Sequence, residues 1–102
     1  MTDELKFEPK TLTVTVGDTV DWATTGAVAH SVTAYEDDVP DGAAYFASGG
    51  FDSEPAARQA YPEGSVGPDE GYSHTFETVG EFPYFCIPHE SGMTGTIIVE
   101  SA

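Results

Sequence analysis

Alternation of apolar and polar residues with a period of two limits this chain more than any other feature. In Thr11-Leu12-Thr13-Val14-Thr15-Val16, Leu12, Val14 and Val16 share one face and threonines occupy the other. Gly17-Asp18 supplies a turn, and Thr19-Val20-Asp21-Trp22 resumes the alternation with Val20 and Trp22 inward. Successive strand side chains point to opposite faces, so this pattern predicts half-buried strands. Further strands are predicted at Leu5–Glu8, His30–Tyr35, Tyr72–Glu77, Phe82–Cys86 and Gly95–Glu100, separated by turn residues such as Val79-Gly80-Glu81. No strong helical period competes. Seven to eight short strands, most joined by tight turns, predict an all-β antiparallel sandwich.

Residues 36–71 interrupt the rhythm. They are dense in Asp, Glu, Gly and Pro, the composition of a long exposed excursion. Within it, residues 53–60 predict one or two helical turns, with Ser53 as N-cap and an acid and a proline in the first turn. Tyr45, Phe46, Phe51 and Tyr61 are expected to pin the excursion to the sandwich.

Length and charge set further bounds. A chain of 102 residues is expected to form one domain spanning residues 1–102. Leu, Ile, Val and Phe make up about a fifth of it, a low share that often accompanies disorder. Twelve aromatic residues and the regular patterning favour a folded chain instead. Three basic residues face eighteen acidic ones, for a net charge of −15. That balance excludes nucleic acid and anionic lipid as partners, because both require Lys and Arg to neutralise phosphate. The acids run from Asp3 to Glu100 without forming a block, which suits an acidic coat for molar salt better than a tail. Docking of a basic partner is the other reading of such a surface. One cysteine excludes an internal disulfide framework, and no apolar stretch is long enough to span a bilayer.

The chemistry is concentrated in Tyr84-Phe85-Cys86-Ile87-Pro88-His89-Glu90-Ser91-Gly92-Met93. This segment leaves a strand, turns at a proline and presents a thiol, an imidazole and a thioether within eight residues. Soft sulfur donors combined with imidazole select copper, and two histidines with a cysteine and a weak axial methionine form a blue-copper set. His30, at the head of a predicted strand, supplies the second imidazole. The expected metal ligands are therefore His30, Cys86, His89 and Met93. His74, mid-strand with no sulfur or histidine nearby in sequence, reads as a surface residue, and Glu90 as a solvated acid. Trp22, Phe82 and Tyr84 read as core, with Tyr84 on the face of Cys86.

These residues also carry a family resemblance. The segments FEPKTLTVTVGDTVDW, AHSV and GEFPYFCIPHESGMTGTIIVE together make the chain resemble the cupredoxins, the small type 1 blue copper proteins of the plastocyanin and pseudoazurin kind. Among them it resembles the acidic halocyanins of haloarchaea most. The resemblance implies a Greek-key β-sandwich with one copper at one end and His30, Cys86, His89 and Met93 as its ligands. It further implies a monomeric carrier of single electrons between protein redox partners, extracytoplasmic and associated with the outer face of a membrane. Transfer would pass through His89. Two details differ from the plastocyanin-like pattern. Three residues rather than four separate His89 from Met93. Ser31 follows the first histidine where Asn is common, so the tie that Asn makes to the cysteine loop is not carried over.

Two other functions compete. A Cys86 nucleophile with a histidine base would leave Met93 and the second histidine without a role. A metal-free or zinc-binding sandwich is the alternative to copper, but zinc rarely takes methionine.

Overall fold

Strand β2 (Thr19–Ala23) shows how the sequence pattern becomes structure: Val20 and Trp22 are buried while Thr19, Asp21 and Ala23 are exposed. The computed structural model describes residues 1–7 and 9–101. Among these it contains six strands: β1 (Thr11–Thr15), β2, β3 (Thr33–Ala34), β4 (Gly71–Thr75), β5 (Gly80–Phe85) and β6 (Thr94–Glu100). One helix, α1 (Glu54–Ala60), lies in the excursion. Strands β1-β6-β5-β3 form one sheet, and β2-β4 form a second. Gly17, at φ 95°, makes the turn between β1 and β2 in a conformation that glycine adopts without strain.

The two sheets meet through aromatic side chains. Trp22 of the small sheet stands edge-on to Tyr84 of the large one at 5.5 Å between ring centroids. It also stacks on Tyr72 at 5.5 Å and on Phe46 at 5.9 Å. Phe46, Phe76, Phe82 and Ile97 are buried around it. Few aliphatic side chains are available, so aromatic area provides much of the core. Tyr84 lies so close over Gly95 that a β-carbon there would meet its hydroxyl at 2.6 Å.

The all-β sandwich agrees with the sequence reading, and four details revise it. The pairing of β1 with β6 is parallel, in register from Thr11 beside Thr96 to Thr15 beside Glu100, whereas the other ladders are antiparallel. The expected strand at Leu5–Glu8 is absent over its described residues. Leu5 has φ 61° and closes a turn onto the Thr2 carbonyl, which extended backbone does not permit; Glu8 lies outside the described residues. The expected strand His30–Tyr35 is reduced to two residues, because the backbone ahead of them bonds to loops. His30 pairs with Val66, and Val32 exchanges bonds with the Ser48 hydroxyl and amide. The strand total is thus six among the described residues rather than seven or eight.

The excursion is anchored as its aromatics suggest. Phe46 enters the core, and the Tyr45 hydroxyl donates to the Ala34 carbonyl at 2.9 Å. Helix α1 begins where capping chemistry places it, with the Ser53 hydroxyl accepting from the Ala56 amide at 3.2 Å. No helix among the described residues is long and apolar enough to cross a membrane.

Candidate metal centre

Strand β5 delivers Cys86 to one end of the sandwich, and the chain then folds back within eight residues to start β6. Pro88 favours the tight turn at Ile87–His89. The loop is closed by its own backbone. The His89 amide donates to the Cys86 carbonyl at 3.1 Å, and the Met93 amide to the His89 carbonyl at 2.9 Å. The Cys86 amide donates to the Met93 carbonyl at 3.1 Å, which joins the two ends of the loop.

His30 arrives on the segment leading into β3, the neighbour of β5 in the same sheet, with its backbone bonded in both directions to Val66. The His30 amide donates to the Val66 carbonyl at 3.1 Å, and the Val66 amide returns a bond of 2.6 Å. Ahead of it, the Asp3 carboxylate accepts from the Ala27 and Val28 amides at 2.9 and 3.0 Å, fixing the approach to His30. Those amide bonds hold the Asp3 carboxyl below its usual range.

Three donor atoms converge here. Cys86 Sγ lies 3.8 Å from His30 Nδ1 and 3.5 Å from His89 Nδ1. One ligand atom from each of the three residues lies within 4.8 Å of the others. Bonds of about 2.0–2.3 Å to imidazole nitrogen and thiolate sulfur would separate neighbouring donors by about 3.5–4 Å. The two sulfur–nitrogen spacings match those of donors around a single ion. One thiolate and two imidazoles, with a thioether in the same loop, is a soft donor set suited to copper.

The surroundings favour the ligand-ready form of His30 and oppose that of Cys86. His30 is fully buried, and its Nε2 has no hydrogen-bond partner. Burial, followed by the neighbouring His89, lowers its pKa and keeps the ring neutral. Burial pushes the Cys86 thiol up, while amide bonds from Ser31 and His89 oppose that shift. The Ser31 amide donates to Cys86 Sγ at 3.3 Å, an arrangement that stabilises negative charge on sulfur. His89 is only half-buried, and Met93 is fully buried at the base of the loop.

The structure therefore brings His30, Cys86 and His89 together and places Met93 beneath the same loop. Three readings of neighbouring residues change. Ser31 does tie the cysteine loop, because its hydroxyl accepts from the Ile87 amide at 2.8 Å. His74 is half-buried rather than on the surface. It stacks on Phe46 at 4.9 Å and meets Phe76 edge-on at 4.8 Å, so the outer part of β4 belongs to the aromatic core.

Glu90 is likewise no free acid. Its carboxylate accepts from Arg58 Nη1 at 2.8 Å and Nη2 at 3.1 Å, and from the Tyr35 hydroxyl at 2.8 Å. The Arg58 bonds lower the Glu90 pKa, and burial with the Glu90 bond raises that of Tyr35 to about 12. Neither sequence spacing nor period could have revealed this contact, since residues 35, 58 and 90 come from separate segments.

Comparison with known proteins points to copper binding. Residues 1–100 match the model of copper binding proteins, plastocyanin/azurin family. The chain is 37% identical over 97 residues to plastocyanin of Scenedesmus fuscus, covering 94% of this chain and 88% of that one. It is 34% identical over 97 residues to chloroplastic plastocyanin of Chlamydomonas reinhardtii, covering 94% of this chain and 59% of the relative. Among solved structures, amicyanin from Paracoccus versutus is similar with a TM-score of 0.62 at 28% identity, over 93% of this chain and 73% of that one. A purple cupredoxin from Nitrosopumilus maritimus is similar with a TM-score of 0.62 at 25% identity, over 91% and 80%.

Proposed function

Because the chain belongs to the plastocyanin/azurin family of copper-binding proteins, we propose that His30, Cys86 and His89 would hold one type 1 copper, with Met93 as a fourth, weaker ligand. The chain is an electron carrier rather than an enzyme. The observation that carries the assignment is the convergence of one thiol and one nitrogen from each of two imidazoles within 4.8 Å. Copper bound there supplies a one-electron couple.

The residues of the chain have separable tasks. Cys86 gives up its proton on metal binding, and the Ser31 amide steadies the resulting thiolate. His30, neutral and enclosed, offers Nδ1 from a backbone paired to Val66. His89 offers its own Nδ1 and also lines a recess with Glu4, Leu5, Lys6, Pro88, Ser91 and Gly92. A redox partner can approach the centre there. The sandwich holds the donors at fixed separations, which limits rearrangement when the charge of the site changes.

The finer reading is a carrier that works outside the cytoplasm, between protein partners at a membrane surface, as a monomer of one domain over residues 1–102. Kinship with plastocyanins supports the setting. A halocyanin-like, salt-adapted role is supported by the net charge of −15. At about 0.01 M salt the screening length is about 30 Å, and at 1 M it is about 3 Å, so dilute buffer leaves the acids repelling one another. The thermal midpoint should rise from dilute to molar salt; an unchanged midpoint would reject the salt-adapted reading.

The metal assignment is tested by titrating reduced, metal-free protein with Cu(II) in molar salt. An intense visible thiolate-to-copper band saturating at one copper per chain is the expected result. A colourless endpoint would reject it, and Cys86→Ser should abolish the band.

A further inference from the structure

Arg58 is one of three basic residues in a chain of net charge −15, and it lies in the excursion rather than in the sandwich. Lys6 makes a long, exposed contact of 3.9 Å to Glu4. Arg58, by contrast, makes several distinct contacts. Its Nη1 and Nη2 take both oxygens of Glu90, the residue directly after His89. Its guanidinium carbon lies 4.3 Å from the ring centroid of Phe85, the residue directly before Cys86. Its Nε donates to Glu54 Oε2 at 2.9 Å, one helical turn back along α1. Glu54 is fixed in turn, because Glu36 and Glu54 each accept the other's backbone amide at 2.9 Å. Tyr35 completes the arrangement, stacking on Phe85 at 4.4 Å and donating to Glu90.

We propose that Arg58 is a positioning residue for the metal centre, latching the loop that carries Cys86 and His89 to helix α1, while Tyr35 holds the same Glu90 carboxylate from the residue after β3. The proposal rests on reading that loop as the copper loop. The loop's backbone bonds close it upon itself but do not fix its tilt against the sandwich; Arg58 and the Ser31 hydroxyl supply side-chain ties from outside. The planar, two-pronged guanidinium matches this double task, grasping a carboxylate in its plane while its face covers an aromatic ring. A lysine could satisfy only one of the two.

The test uses the full chain with Arg58→Met, Glu90→Gln, the double variant and Arg58→Lys. Amide exchange at His89, Gly92 and Met93, whose amides are bonded within the loop, should quicken about fivefold in metal-free Arg58→Met and Glu90→Gln, with β6 unaffected. In the copper-loaded protein, the intensity ratio of the thiolate–copper bands should change in the same sense in both. The double variant should add nothing, and Arg58→Lys should restore part of the wild-type behaviour. Unchanged exchange and bands, with reduction potentials shifting in opposite directions and additively, would mean that the two residues act only as charges and would overturn the latch. If Arg58→Met fails to fold, Glu90→Gln decides alone. If the wild type shows no copper band, the copper reading fails, while loop exchange in the metal-free variants still decides the latch.

Discussion

The two segments that meet at the metal centre are held by different means. The His30 segment lies inside the fold: its imidazole is fully buried, and its backbone is paired in both directions with Val66. The Cys86–Met93 loop lies between two strands with His89 half-buried, closed by its own turn and tied from outside by Ser31, Tyr35 and Arg58. One arm owes its position to main chain and core, the other to side chains. Damage to the first should therefore cost global stability, whereas damage to the second should alter the site before it alters the fold.

Phe46→Ala should break the buried arm most severely. Phe46 packs on Trp22, Phe76 and His74, and its carbonyl accepts the Ala34 amide. A loss of about 3–5 kcal/mol is expected in denaturant unfolding, from lost apolar contact and the cavity left behind. A loss below about 1 kcal/mol would show that the aromatic layer is not what holds this arm.

Ser31→Ala probes the junction of the arms, since Ser31 belongs to the buried segment and its hydroxyl receives the Ile87 amide of the loop. Leaving that amide unpaired should cost about 1–3 kcal/mol and broaden the visible band of the copper-loaded protein. A stability loss with an unaltered spectrum would mean that the loop keeps its place without this bond.

The smallest effect concerns pH. Burial lowers the His74 pKa from 6.5, with Glu77 opposing, so the native state binds fewer protons than the unfolded chain just below that value. This contribution to stability is present in full above pH 6.5 and is lost as pH falls through the folded pKa. His74→Gln should flatten the fall of the thermal midpoint with acidification without changing the loop's amide exchange. An equal slope in both proteins would assign the titration elsewhere.

Legibility in the sequence followed the range of the interaction. Alternation along β1, β2 and β6 was readable because each strand carries its own period. Cys86, His89 and Met93 were readable because their chemistry is compressed into eight residues. Period two assigns a residue to a face but not the depth at which that face is covered, hence the misreading of His74. The Leu5 turn was hidden because a leucine at positive φ has no sequence signature. The Arg58–Glu90 pair was hidden because eighteen acids offer one arginine many equivalent partners, and only the fold selects among them.

The parallel ladder between β1 and β6 has a kinetic consequence. Thr11 lies beside Thr96, so the edge of the larger sheet cannot zip up until almost all of the described chain has been collected. Such long-range closure makes for slow folding relative to hairpins and helices. Strand β6 begins immediately after Met93 and pairs locally with β5, so the two ends of the Cys86–Met93 loop are joined without any contribution from β1. Topology thus separates two ranges of contact: the Cys86–Met93 loop closes locally between β5 and β6, whereas the thiol meets the His30 segment only through the longer-range pairing of β3 with β5.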